Sequence, residues 1–357
     1  MGINFFKRLS NKQKSLILIL FLLPIFVIDV LHYFTLPERA YEPPDKIEID
    51  IPRGAALTQI ADSLGKYELI KNKKMFILWA KLLGYENKLK AGLFKIPVNL
   101  NNAQLLTYLS QARAQEVSVT LLEGWSAARI GLELEQKLKI NAAKFDSLCR
   151  DSSLTGELEA EPDNLEGYLL PDTYSFYWGI TEESLIRFFL NRTLSLFESD
   201  SVKAALKELG MTRHQILTLA SIVEGEAIFD DERSIIASVY YNRLRRHMKL
   251  QADPTVQFIL DDAPRRLLYK DLEIDSPYNT YLYYGLPPGP INNPGKASIF
   301  ASLFPADTKY LFFVATGDGR HAFSVTASEH ARAKAAFDKV RREVYRKKRQ
   351  VKLKEND

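Results

Sequence analysis

A chain of 357 residues that is 46% hydrophobic and 26% charged is long enough for more than one folded core and too apolar to be a disordered polymer. Its formal charge of +4 sits at the two ends: Lys7, Arg8, Lys12 and Lys14 supply +4, residues 339–357 supply +6 from nine Lys/Arg against three acids, and the body between is left at −6, which argues against nucleic acid as a partner. Cys149 is the only cysteine, which excludes an intramolecular disulfide, so a fold outside the cytoplasm must rest on its cores.

In chain order, Leu16 to Ile28 is apolar apart from Pro24, and with Val30, Leu31, Tyr33 and Phe34 it approaches the roughly 20 residues that span a bilayer. The basic residues before it and Glu38, Glu42 and Asp45 after it predict a cytoplasmic tail over 1–14, a single membrane span over 15–35 and an extracytoplasmic body. Asp29 suits such a helix only near the outer interface. No small-x-small cleavage site precedes Thr35 to Arg39, which favours a retained anchor over a removed signal. Pro37, Pro43 and Pro44 make 36–46 a stiff linker.

Over 47–115, Ile47, Ile49 and Ile51 alternate as a strand, helices are expected near Ala55 to Leu64 and Lys73 to Leu83, a strand over Ala91 to Pro97 and a helix from Ala103 to Ala112. The strand-helix-helix-strand order resembles a small carbohydrate-binding LysM-like module; a generic spacer domain fits it equally. Residues 116–345 read as a mixed α+β domain. Val117, Val119 and Leu121 form a strand, helices follow to about Leu138 and from Ala142 to Cys149, and the acidic stretch Asp151 to Asn164 is a loop. Further helices are expected over Glu182 to Phe197, Val202 to Leu209, Thr212 to Val223 and Asp231 to Arg246, with Asp230, Asp231 and Glu232 at a helix start. Tyr310 to Ala315 and Ala322 to Val325 flank Gly317-Asp318-Gly319-Arg320 as a hairpin, and a charged helix from Ser328 leads to a basic tail over 346–357. The class is therefore α+β behind one membrane helix.

Chemistry is expected around Ala220-Ser221-Ile222-Val223-Glu224-Gly225-Glu226. Two carboxylates leave an apolar helix at its carboxyl end, where the helix dipole and burial beside Ile222 and Ile228 both disfavour ionisation, the property a general acid needs. An ordinary reading as solvated helix-end acids stands beside it. Leu250-Gln251-Ala252-Asp253-Pro254-Thr255 offers Asp253 either as a helix cap or as a binding group. Ser276-Pro277-Tyr278-Asn279-Thr280-Tyr281 and the rigid Gly285-Leu286-Pro287-Pro288-Gly289-Pro290-Ile291 add amides, hydroxyls and aromatic faces suited to a polysaccharide groove. His32, His214, His247, His321 and His330 show no metal-ligand spacing, there is no phosphate loop or Gly-x-Ser-x-Gly elbow, and Cys149 reads as core. No metal or cofactor is expected.

The ordered set Glu-Gly-Tyr-Leu-Leu-Pro-Asp-Thr-Tyr (166–174), Ala-Ser-Ile-Val-Glu-Gly-Glu (220–226), Asn242-Arg243-Leu244, Leu-Gln-Ala-Asp-Pro-Thr (250–255), Tyr-Asn-Thr-Tyr (278–281), Gly-Leu-Pro-Pro-Gly-Pro-Ile (285–291) and His321-Ala322-Phe323 resembles the YceG-like endolytic murein transglycosylases over about residues 47–340. The resemblance implies a lyase acting on the glycan strands of peptidoglycan at the cytoplasmic membrane, with peptidoglycan synthases as partners. It makes Glu226 the catalytic acid and Glu224 a supporting one, with Gln251, Asp253, Tyr278, Asn279 and Thr280 as groove candidates. Gly225 and Ala227 depart from the usual Lys and Thr of the family's Glu-x-Glu-Thr motif, and the missing hydroxyl at 227 puts the acid's pKa in question. A hydrolytic muramidase using Asp253 or Glu166 as second acid, and a non-catalytic peptidoglycan-binding scaffold, remain the alternatives.

Overall fold

The computed structural model describes residues 10–35, 46–52, 54–111, 116–151, 164–260 and 263–354, with side chains through residue 342 other than 35 and 340. Nearly all of the expected linker and acidic loop, and the side chains of the basic tail, lie outside these. The chain divides into two units, residues 1–117 with 175–179 and residues 118–174 with 180–357.

In the first unit, α1 (Asn11–Thr35) is one unbroken helix through Pro24, and its Asn11–Phe34 stretch of 24 residues, with mean hydropathy 2.5, is long and apolar enough to cross a membrane. Then come β1 (Lys46–Ile51), α2 (Leu57–Lys66), α3 (Lys73–Leu82), β2 (Gly92–Pro97) and α4 (Asn102–Gln111). Period-two alternation turns Ile49 and Ile51 inward and Glu48 and Asp50 to solvent, and β1 pairs antiparallel with β2, Ile49 opposite Phe94. Leu57, Ile60, Ala61 and Leu64 form the buried stripe of α2 at helical spacing and meet Leu105, Leu106 and Leu109 of α4 in one core. Tyr33 of α1 joins that core beside Trp79, their rings 5.3 Å apart. The returning segment 175–179 is fastened by Trp178 Nε1 donating to Asp50 Oδ1 at 2.7 Å.

Next along the chain, β3 (Glu116–Thr120) leads to α5 (Ala127–Leu138), α6 (Ala142–Cys149), β4 (Thr173–Tyr177), α7 (Glu182–Ser195) and α8 (Asp200–Leu209), the two strands being divided between the units and the helices lying in the second. After these come α9 (Arg213–Glu226), α10 (Asp230–Arg245), α11 (Asp253–Phe258), a 3-10 turn over Tyr269–Glu273, α12 (Lys296–Leu303), the hairpin β5 (Phe312–Ala315) and β6 (His321–Ser324), and α13 (Ala327–Lys354). The described sheets are two-stranded, β1–β2, β3–β4 and β5–β6. Helix α9 is the central rod. Every residue from Ile216 to Val223 is buried, and α9 packs on α10, α11 and α12. A helix buried on all sides along its middle has no solvent face there, so its ends are where its chemistry emerges.

Two asparagines lash the 285–293 loop in place. Asn292 Nδ2 donates to the Ser221 carbonyl at 2.9 Å, while Asn293 Oδ1 accepts from the Gly167 and Leu169 N–H groups, both at 2.9 Å. Asn293 Nδ2 donates to Glu166 Oε1 at 2.7 Å, and Glu166 also accepts from Ala127 N at the start of α5. Gly167, at φ +85°, admits the Pro290 ring where a Cβ would stand only 2.4 Å from its carbons. The Glu166–Tyr174 motif is thus a clasp between the α5 start and the proline loop.

Candidate active site

Helix α9 begins with a reciprocal cap: Thr212 Oγ1 accepts from Gln215 N at 3.2 Å and Gln215 Oε1 accepts from Thr212 N at 2.9 Å. It ends two residues after Glu224, and since each residue advances about 100° around a helix the two acids leave on opposed faces. Their fates differ accordingly.

Glu224 turns to the protein. Its Oε1 accepts from Arg233 Nη1 at 3.0 Å, and its Oε2 accepts from Gly295 N at 3.0 Å and Ser298 Oγ at 2.9 Å. Its side chain is 7% exposed and that of Arg233 6%. The carboxylate is an anchor between α9, α10 and α12, with its acceptor capacity already committed.

Glu226 turns to a cleft of about 490 Å³ lined also by Arg243, Gln251, Asp253, Tyr281, Phe313, His321 and His330. Tyr240 Oη donates to its Oε1 at 3.0 Å. Burial is the largest influence on the Glu226 carboxyl; the Tyr240 hydrogen bond and the Arg243 charge oppose it, the Asp253 charge adds to it, and the net result is a pKa pushed up to about 7. That burial does not come from Ile228, contrary to the sequence expectation: Ile228 is 69% exposed.

Asp253 is not a cap. Helix α11 begins at Asp253 with Ala252 before it and no side-chain capping bond, and the Asp253 carboxylate instead accepts from Tyr281 Oη at 2.6 Å on the cleft wall. Gln251, at φ +48°, holds its place through its N–H to the Thr280 carbonyl at 3.1 Å. The Tyr278–Tyr281 turn divides in role. Asn279 is fully buried, its Nδ2 on the Leu272 and Ile274 carbonyls and its Oδ1 on Tyr281 N. Thr280 Oγ1 accepts from Ala252 N at 3.0 Å and meets Thr255 Oγ1 at 2.8 Å. Tyr278 packs on Phe258, ring centroids 4.8 Å apart. Asn279, Thr280 and Tyr278 therefore shape the turn that presents Gln251, Asp253 and Tyr281, and only the last three line the cleft.

Sequence reading placed Arg243, Tyr281 and His321 within motif segments without singling any of them out, and did not name Tyr240. Arg243 is buried, with Nε on the Leu311 carbonyl and Nη1 on the Leu250 carbonyl, both at 2.7 Å, so it ties the hairpin to the 250 loop while placing a positive charge behind the acid. Asn242 extends the tie to the Thr308 and Tyr310 carbonyls. The available signal was polar residues in the middle of a helix, which when buried must find partners.

The chain matches the YceG-like family over residues 49–336. This chain belongs to the YceG-like family. It is 36% identical over 307 residues to the endolytic murein transglycosylase of Bacillus subtilis, covering 82% of this chain and 84% of that protein. The corresponding protein of Streptococcus pneumoniae R6 is 30% identical over 321 residues, with 80% of this chain matched to 57% of the pneumococcal one, so this chain spans just over half of that longer relative. A crystal structure of a yceG-like protein from Listeria monocytogenes superimposes with a TM-score of 0.57 at 31% identity, covering 81% of this chain and 98% of that one.

The two departures from the YceG-like motif have local physical accounts. A Cβ at Gly225 would lie 2.7 and 2.8 Å from Pro254 Cβ and Cγ, so glycine here lets the first turn of α11 press against α9. Ala227 is buried, and its N–H closes α9 on the Val223 carbonyl at 2.9 Å. Glu226 still receives a hydroxyl, from Tyr240. Gly225→Ala is expected to push Pro254, and Asp253 with it, outward: overpacking of about 1–3 kcal/mol, partly offset by a helix-propensity gain of up to about 1 kcal/mol, and a cleavage rate lowered about ten-fold by the displaced wall. Thermal melts beside strand-cleavage rates would check this, and an unaltered rate would mean Pro254 yields without moving Asp253.

Proposed function

We propose that this chain is a membrane-anchored endolytic lytic transglycosylase that cuts peptidoglycan glycan strands at the bond from N-acetylmuramic acid to N-acetylglucosamine and leaves 1,6-anhydro-muramic ends. The observation that carries the reading is Glu226: a carboxyl held half-protonated near neutral pH, bonded by Tyr240 and facing a cleft walled by Gln251, Asp253 and Tyr281. The names of the curated relatives support the substrate and reaction class.

Glu226, protonated, donates to the bridging oxygen as the anomeric carbon gains oxocarbenium character. As a carboxylate it then takes the proton of the muramic C6 hydroxyl, whose oxygen closes on the anomeric carbon. A single carboxyl serves both steps. Arg243 limits the rise of the acid's pKa and steadies the carboxylate between them. Tyr240→Phe removes the hydrogen bond that lowers the acid's pKa, so the falling limb of the pH–rate profile above neutrality should move to higher pH, with kcat lower by about ten-fold; a profile unmoved in pH would show that Tyr240 serves packing alone.

Helix α1 supports a single-pass anchor with the amino terminus in the cytoplasm, from the Lys12 and Lys14 charges that open it. The strand-helix-helix-strand order of the first unit supports a LysM-like contact to the same polymer, and release of nascent strands near peptidoglycan synthases follows from an endolytic cut at the membrane surface. Asp253 on the wall of the Glu226 cleft favours one second reading, a hydrolase in which Asp253 activates water. Glu166 does not serve that reading, being committed to Ala127 N and Asn293.

Mass spectrometry of uncrosslinked strands incubated with the full-length protein in detergent tests the assignment. New internal 1,6-anhydro ends are expected. Reducing ends would mean the hydrolase, and strands bound but uncut would mean a scaffold.

A further inference from the structure

The first residues of α10 do more than complement its dipole. Asp230 pairs with Arg233 at 2.9 Å and Asp231 with Arg320 at 2.9 Å, while Glu232 is buried and hydrogen-bonds His321 through both its oxygens, with Arg320 Nη1 3.8 Å from its Oε1. Its Oε1 accepts the backbone N–H of His321 at 3.0 Å, and its Oε2 meets His321 Nδ1 at 2.8 Å. A carboxylate can only accept, so in the neutral ring the proton resides on Nδ1 and Nε2 carries a lone pair. The ring is also clamped edge-to-face by Phe313, centroids 5.2 Å apart at 85°. His321 lines the same cleft as Glu226, and among the described residues no hydrogen bond occupies its Nε2. Phe313 links the two groups, since it also packs edge-to-face on the ring of Tyr240, 5.9 Å away at 89°, whose hydroxyl holds Glu226.

The reaction has a use for an acceptor at that place. Glu226 enters the reaction protonated, so its donor oxygen cannot also hold the muramic C6 hydroxyl, and that hydroxyl must nevertheless be aimed at the anomeric carbon before water arrives there. We propose that His321, oriented by Glu232, positions the internal nucleophile by accepting a hydrogen bond from the muramic C6 hydroxyl at Nε2, a role that rests on the transglycosylase reading above. The proton balance is unchanged. Glu226 gives its proton to the bridging oxygen as the bond from that oxygen to the anomeric carbon breaks; the C6 oxygen bonds to that carbon, and its one proton, held in the hydrogen bond to His321 until the Glu226 carboxylate has formed, leaves that bond and passes to the carboxylate. His321 ends as it began. It touches substrate, whereas Glu232 is a positioning residue.

Two amide substitutions separate positioning from support of the hairpin. His321→Asn keeps an N–H at the Nδ1 place for Glu232 and has no atom at Nε2. His321→Gln brings an amide to the Nε2 place and gives up the Glu232 bond. Full-length proteins in detergent would be compared by kcat, KM, thermal melting and the ratio of 1,6-anhydro to reducing ends on uncrosslinked strands. The Asn protein should melt near wild type yet show an anhydro-to-reducing ratio lowered about ten-fold, the worth of one lost hydrogen bond, as water competes for the anomeric carbon; the Gln protein should hold the ratio within about three-fold of wild type even if it melts earlier. A wild-type ratio and rate in the Asn protein would overturn the proposal. If the Asn protein does not fold, the Gln protein decides, because a purely structural bond to Glu232 predicts lost stability together with a lost ratio. Wild-type protein that makes only reducing ends would instead remove the transglycosylase reading itself, and is seen before any variant is made.

Discussion

Glu226→Gln is expected to lower strand cleavage by about 10³-fold while leaving the fold intact and, above neutral pH, more stable than wild type. The amide fills the same space and accepts the Tyr240 hydrogen bond now made to Oε1 at 3.0 Å, but it has no proton to give, and positioned acids contribute about 10²–10⁴-fold. The stability change follows from the acid's pKa, which is about 7 in the fold against an ordinary 4.5. A raised folded pKa means that the contribution of this group is complete below about pH 4.5 and is lost as pH rises through 7, because the unfolded chain ionises freely and the buried site does not. At about 1.36 kcal/mol per unit, wild type forfeits about 3 kcal/mol by pH 8 and the Gln protein forfeits none of it. Melts at pH 5 and pH 8 beside end-group mass spectrometry would show both effects. A substituted protein that cuts, or one whose melting advantage fails to grow with pH, would remove Glu226 from the role of buried acid. The same logic gives wild-type cleavage a rate that falls as pH climbs past 7.

The sequence carried the acid because α9 is local: a Thr212–Gln215 cap, an apolar run and two acids at the exit are all within one helix. Strand alternation in β1, the buried stripe of α2 and the hairpin around Gly317–Gly319 were legible for the same reason. What surrounds the acid was not. Tyr240, Tyr281 and His321 arrive from α10, the 278–281 turn and β6, and no periodicity within one element announces a meeting of three. Amides and hydroxyls mislead in a second way. Asn279 and Thr280 carry the groups a sugar site uses, yet the fold spends them on the Leu272 and Ile274 carbonyls and on Ala252 N, since a tight turn has orphan backbone groups of its own to satisfy. Glu232 shows the converse: an acid at a helix start is adequately explained by the dipole until the structure brings His321 against it.

The second large effect is expected from Arg233, which touches no substrate. Arg233→Met should destabilise the protein by about 3–5 kcal/mol, because it strips the partner from a buried carboxylate rather than removing an ion pair. Glu224 and Arg233 are only 7% and 6% exposed, and the two remaining donors on Glu224, Gly295 N and Ser298 Oγ, carry no charge. Glu123 lies near enough that the charge of Glu224 adds to burial in raising its pKa, so an unpaired Glu224 would face a like charge as well. For a unit of this size the loss corresponds to a melting point lower by about 10 °C. The double protein Glu224→Gln/Arg233→Met should recover most of it: neutral groups bear no desolvation penalty, and Gly295 N and Ser298 Oγ can still donate to the glutamine oxygen. The recovery need not extend to catalysis. The pair ties the last turn of α9 to α10 and α12, and Glu226 is carried on that same turn, so loosening it displaces the acid from Tyr240 and kcat should remain depressed in the double protein. Equal melting points for the single and double proteins would show that the Glu224 carboxylate is hydrated once its partner leaves, and that the anchor at the end of α9 is packing rather than charge.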